Sequence, residues 1–269
     1  MQNPKLYSPK GEELSSMAAV DLDILIPAGR ESLTASMTAV NSALFTAAKE
    51  GVRYTFPYVG KNPDSLGLSL TSALSAIRSN ATHVLFASDD VMPKPDALVR
   101  LLQHNVQVVS GLGTNKDAPP RIVLGEYNTA STEFGPLTRK VKQGEVISGS
   151  YYTNFSFLLV TVPTLVSLEK YWVSGRLSRV QRLEHGYPPL LFMDHISEKE
   201  VLTPCGWFWT ALARLNIPVT VDTGCFVGRV GDMVFHPGMA RGRGVWDSEE
   251  EVRDVSKTIN NEEDQVSAA

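Results

Sequence analysis

A rhythm in the first half of the chain constrains its fold more than any single motif does. Between residues 21 and 113, short apolar runs alternate with segments whose apolar residues recur at helical spacing. "DLDILIPA" (21–28) predicts a buried strand, and "LTASMTAVNSALFTAAKEG" predicts a helix that stops at Gly51. The same reading gives a strand in "VRYTFPYV", a helix in "DSLGLSLTSALSAIRSN", a strand in "THVLFA", a helix in "PDALVRLLQHN" and a strand in "VQVVSGLG". Strands that alternate with helices of this length imply an α/β fold with a mostly parallel central sheet and helices on both faces.

After Gly113 the rhythm breaks into loop and short strands, with a hairpin turn expected near Gln143-Gly144 and hence a small antiparallel portion. A helix opened by Pro163 follows, then a polar loop region over 174–200, a helix in "WFWTALARLN" and a strand in "IPVTVDTGCFVG". With 269 residues the chain accommodates one elaborated domain over 21–247, an N-terminal extension over 1–20 and a tail over 248–269. The tail holds seven acids (Glu249, Glu250, Glu251, Asp254, Glu262, Glu263, Asp264) against two bases (Arg253, Lys257) and few apolar residues, so it reads as disordered.

Because the net charge is −4 and seven acids against two bases put −5 on the tail, the rest of the chain is close to neutral at +1. It offers no broad cationic face for gripping nucleic acid. Hydrophobic residues at 43% and charged residues at 20% suit a soluble globule, and no run approaches the roughly 18 apolar residues of a membrane span. The opening "MQNPKLYSPKGEELSS" lacks the pattern of a secretory signal, so a cytoplasmic location without a membrane span is expected. Cys205 and Cys225 have neither disulfide-framework nor metal-site spacing.

The chemistry-bearing stretch is "THVLFASDDVMPKPDALVRLL", where an apolar strand ends in Ser88-Asp89-Asp90. In open parallel sheets ligands bind beyond the carboxyl ends of the strands, and carboxylates there suit a divalent cation shared with substrate phosphates. A capping role for the two acids at the turn or the next helix accounts for the same pattern.

Taken in order, "ILIPAGR", "THVLFASDDVMPKPDALVRLL", "VVSGL", "NFSFLLVTVPTLVSLEK" and "FWTALARLNIPVTVDTGCFVG" resemble the nucleotide-sugar-dependent glycosyltransferases of the GT-A fold, family 2 in particular, over about residues 21–232. The resemblance implies the GT-A (nucleotide-diphospho-sugar transferase) fold and transfer of a sugar from a nucleoside diphosphate sugar to an acceptor hydroxyl. That acceptor would be a glycan, a small molecule or a modified nucleobase. Donor binding is expected from Pro27, Ala28, Arg30, Asp64, Asp89, Asp90 and Arg229, with manganese or magnesium held by Asp90. The chain departs from the family pattern at three places. Ser88 stands where the first acid of an Asp-any-Asp motif is expected, Pro204-Cys205-Gly206-Trp207 replaces an acidic pair, and Arg229 follows Val227-Gly228 where relatives often carry a metal-binding His.

Those departures imply reduced metal dependence, with the Arg229 guanidinium offering paired donors to a diphosphate; Arg241 and Arg243 could add positive charge. Asp194 and His195, just ahead of the late helix, are the candidate bases. His236 is a weaker candidate ligand. Tyr151, Tyr152 and Asn154 lie where the family faces donor and acceptor, while Trp207, Phe208 and Trp209 either line an acceptor pocket or belong to the core. Two rivals stay open: a catalytically silent module that binds a nucleotide sugar or glycan, and a nucleotidyltransferase.

Overall fold

The computed structural model describes residues 6–7, 13–14, 20–28, 34–55, 58–61, 81–114, 121–128, 133–137, 139–174, 195–196, 201–202, 204–230 and 234–235. The helix expected at 64–80, the acidic tail, and Arg30, Asp64, Asp194, His236, Arg241 and Arg243 lie outside these residues.

An isolated antiparallel ribbon of β1 (Leu6–Tyr7) and β2 (Glu13–Leu14) precedes the main body. The "DLDILIPA" run forms β3 (Asp21–Ala28), and the following apolar spacing forms α1 (Thr34–Lys49). Gly51 ends the turn after α1 at φ +91°, a conformation that costs glycine little and other residues much. "VRYTFPYV" supplies two short strands, β4 (Arg53–Tyr54) and β5 (Tyr58–Lys61). Then come β6 (His83–Ala87), β7 (Val91–Pro93), α2 (Ala97–Gln103) and β8 (Val108–Gly113).

The second half contains β9 (Leu124–Asn128), β10 (Glu133–Pro136), β11 (Val146–Gly149), β12 (Tyr151–Thr153) and β13 (Phe157–Thr161). It continues through α3 (Val162–Ser174), β14 (His195–Ile196), β15 (Val201–Leu202), α4 (Pro204–Arg214), β16 (Val219–Val230) and β17 (Val234–Phe235). The turn expected at Gln143-Gly144 is present, with Gly144 at φ +83° and the Glu145 amide donating to the Lys142 carbonyl. The strand leaving it, β11, pairs with the distant β16.

The main sheet runs β11-β16-β8-β13-β6-β3-β4, with β5 also on β3 and with β7 and β17 on β16. Strand β3 is parallel to β4, β5 and β6, and β8 is parallel to β16. Strand β13 is antiparallel to both neighbours, β6 and β8. A smaller antiparallel sheet, β10-β9-β12, flanks this body. This is the expected class: α/β, a mostly parallel central sheet and a small antiparallel portion.

Because side chains alternate along a strand, each central strand feeds two cores. Val84, Phe86, Val108, Leu158 and Val160 pack with Leu165 and Leu168 of α3 and with Trp207 and Leu212 of α4. Leu85, Ala87, Val109, Phe157 and Leu159 pack on the opposite face with Val40 and Leu44 of α1 and with Leu98 and Leu101 of α2. Both faces are therefore covered by helices, which is why these strands read as unbroken apolar runs.

Strand β16 is interrupted. Asp222 pairs with Gly111 but the next partner, Leu112, faces Phe226, so Thr223, Gly224 and Cys225 bulge out of the ladder. Beyond the bulge the strand resumes beside β7, with Arg229 opposite Val91.

Candidate functional site at the carboxyl ends of the strands

Parallel strands deliver their carboxyl ends to one edge of the sheet, and the chemistry collects there. Leu25 of β3 is level with Phe86 of β6, so two residues further on the same register sets Pro27 level with Ser88. Strand β13 enters the sheet at this edge because it runs the other way, and the Ser88 amide donates to the Ser156 carbonyl at 3.0 Å. Strands β8 and β16 add Thr114 and Arg229 to the same edge.

Asp90 lies in the turn after β6, and its side chain is only 3% exposed. Its carboxylate is gripped side-on by Arg229: Nε donates to Oδ1 and Oδ2 at 3.2 and 3.1 Å, and Nη2 donates to the same oxygens at 3.0 and 2.8 Å. The backbone fixes the pair from both sides, because the Val230 amide donates to the Asp90 carbonyl at 2.7 Å while β7 and β16 stay in register. Asp89, beside it, is half-buried. The sequence reading aimed Arg229 at a diphosphate; in the structure it meets the Asp90 carboxylate.

A row of buried polar atoms lies along the same edge. Thr114 Oγ1, Asn154 Oδ1 and Ser156 Oγ have no hydrogen-bond partner among the described residues. The Asn154 carboxamide is wedged against Gly113, where an added Cβ would come within 2.7 Å of Oδ1, and Nδ2 donates to the Thr114 carbonyl at 3.0 Å. Buried groups of this kind normally find partners, so three orphans on one edge form a set suited to hydroxyls or other small polar groups.

Sequence reasoning passed over Asp222. It is fully buried, and its Oδ2 accepts from Arg100 Nε at 2.6 Å and pairs with His104 Nε2 at 2.8 Å. Oδ1 accepts from Arg100 Nη2 at 2.8 Å and from the bulge amides of Gly224 and Cys225 at 2.9 and 3.2 Å. Burial pushes this carboxyl upward, but the donors from Arg100, His104 and Gly224 outweigh it and hold the acid below its ordinary value. A charge inside "VTVDTG" was the available signal, since a carboxylate in a buried strand requires partners.

The other expected residues fall as follows. Pro27 and Ala28 end β3. His195 begins the short ribbon β14–β15 ahead of α4, and its neighbour Asp194 lies outside the described residues. Trp207, Phe208 and Trp209 are all buried, with Phe208 and Trp209 packed around Phe155, so all three contribute to the core. Tyr152 lies over Gly125 and stands edge-on to Phe134 in the smaller sheet. Cys225 is buried and Cys205 half-buried, both free, and burial pushes both thiols up to about 12.

Among the described residues no group of three or more His, Cys, Asp or Glu side chains could hold a metal ion, and no helix is long and apolar enough to cross a membrane.

No protein-family model matches the chain, and no curated protein sequence matches it. Solved structures do. A197 from STIV aligns at TM-score 0.45 and 10% identity, over 86% of this chain and 95% of that one. The catalytic domain of Drosophila beta1,4galactosyltransferase 7, solved with xylobiose, aligns at TM-score 0.44 and 11% identity over 79% of this chain and 71% of that one. 4-diphosphocytidyl-2C-methyl-D-erythritol synthase from Anaerococcus prevotii aligns at TM-score 0.36 and 9% identity over 59% and 78%.

Proposed function

We propose that this chain is a GT-A-type glycosyltransferase that moves a sugar from a nucleoside diphosphate sugar to an acceptor hydroxyl. One observation carries the reading. The Asp89-Asp90 turn leaves a central strand at the edge where β3, β6, β8 and β16 all end, with a guanidinium against Asp90. A strand-end acid and a fixed cation suit the stabilisation of a departing diphosphate, which is the group that must gain charge when the glycosidic bond breaks. The orphaned Thr114, Asn154 and Ser156 atoms supply the neutral hydrogen-bonding character a sugar ring needs. Asp194 and His195 are the bases proposed to take the acceptor proton if the sugar's configuration inverts.

A panel of nucleoside diphosphates and their sugars, tested by thermal shift, is the direct experiment. One diphosphate should raise the melting temperature, and its sugar should be hydrolysed slowly to the diphosphate, with Asp90→Ala abolishing the release. Stabilisation by a nucleotide sugar without any turnover, in every metal and with every acceptor offered, would favour a binding module instead. The grip of Arg229 on both oxygens of Asp90 is the observation that keeps this second reading in play.

A further inference from the structure

A divalent cation at this edge would need about six oxygen ligands, several of them anionic. The residues present do not fit it. Ser88 offers a neutral hydroxyl, and the Asp90 carboxylate is 3% exposed with all four of its contacts to Arg229 between 2.8 and 3.2 Å. A dication placed on Asp90 would also sit against a guanidinium that is always charged.

We propose that Arg229 is the site's resident countercharge: held side-on by Asp90, it stands where a divalent cation would stand and presents its remaining edge to the diphosphate, so that nucleoside diphosphate binding is metal-independent. The inference rests on the donor reading above and assigns its charge partner. A guanidinium carries five N–H donors in a fixed plane. The contacts to Asp90 use Nε and Nη2, and Nη1 engages no described residue. At 19% exposure, the Arg229 side chain reaches solvent where Asp90 does not. One carboxylate can therefore orient the fork while the outer edge binds a second anion bidentately. The pairing of β7 with β16 holds this arrangement in place before any ligand arrives, so no ordering of a long side chain opposes binding.

The same pair has a plainer account, a buried ion pair that joins β7 to β16, and calorimetry separates the two. The full chain, stripped with EDTA, is titrated with UDP, GDP, ADP, CDP and dTDP, with and without excess manganese chloride. The wild-type chain should bind one diphosphate with affinities in the two conditions that agree within about threefold. Arg229→Lys keeps the charge but loses the fork, and should weaken diphosphate binding about tenfold. Arg229→Gln should weaken it by about 100-fold or more while leaving the monophosphate unchanged. Electron paramagnetic resonance of manganese mixed with wild-type protein alone should show only the free-ion signal.

Diphosphate binding that requires manganese, or stoichiometric capture of manganese that is lost in Asp90→Asn, overturns the inference and leaves the donor reading standing. Metal-free diphosphate binding by folded Arg229→Gln at wild-type strength also overturns it and makes the pair structural. Should Arg229→Gln not fold, the wild-type comparison and Arg229→Lys decide. If no diphosphate binds under either condition, the inference and the donor reading fall together.

Discussion

At the scale of single residues, two carboxylates divide the work. Asp90 is paired at the strand-end edge, whereas Asp222 is paired inside the sheet and closes the β16 bulge by accepting from the Gly224 and Cys225 amides. Removing Asp222 leaves those amides without their acceptor. Arg100, at 41% exposure, can turn to water. Asp222→Asn keeps one oxygen for those amides but turns an NH2 donor toward Arg100 and His104, and should destabilise the protein by about 3 kcal/mol at neutral pH. The folded acid is held below its ordinary value, so the unfolded chain takes up the proton first as pH falls. Its stabilisation is complete above about pH 4 and is lost as pH drops through the lower folded value. Urea midpoints measured between pH 3 and pH 7 should show a steeper acid fall for the wild type than for Asp222→Asn; parallel curves would remove Asp222 from that role. Asp89 and Asp90 were legible because an apolar run stopped at them. Asp222 was not, because its partners Arg100 and His104 come from more than 100 residues away, as their separations of 122 and 118 record.

At the scale of elements, β3, α1, β6, α2 and β8 fall inside the runs read from the sequence, because each carries a clean period and ends at a turn or chain-reversing residue. Two features escaped. Strand β7 is only Val91–Pro93, and its proline is tolerated because its recorded pairing is along β16 alone. Helix α4 begins at Pro204, ahead of the expected "WFWTALARLN", since proline is well suited to a first helical turn even with Gly206 close behind. Strands β8 and β16 approach each other closely near the site. A Cβ at Gly111 would lie 2.9 Å from the Cys225 carbonyl oxygen and 2.9 Å from Val227 Cγ2. Gly111→Ala should thus force the two strands apart and cost about 1–3 kcal/mol, read from chemical denaturation. It should also weaken diphosphate binding, because the displaced partner strand β16 carries Arg229. An unchanged midpoint would mean that the bulge absorbs the methyl group.

At the scale of the whole molecule, the reversed strand β13 has a consequence for biosynthesis. Strands β6 and β8 leave the ribosome early but do not touch; β13, made later, is what fills the gap between them. Strand β8 then waits again for β16, its parallel partner on the other side. Translation at about 5–20 residues per second gives the incomplete sheet seconds of exposure, with apolar strands open on both edges. Stalled nascent chains exposing residues only as far as Ser150 should be digested by protease like unfolded polypeptide, with resistance appearing once β16 has emerged. Resistance at the shorter length would show that β3 and β6 close a stable half on their own. Until the last parallel strand arrives, the chain is a client for any factor that shields exposed strands.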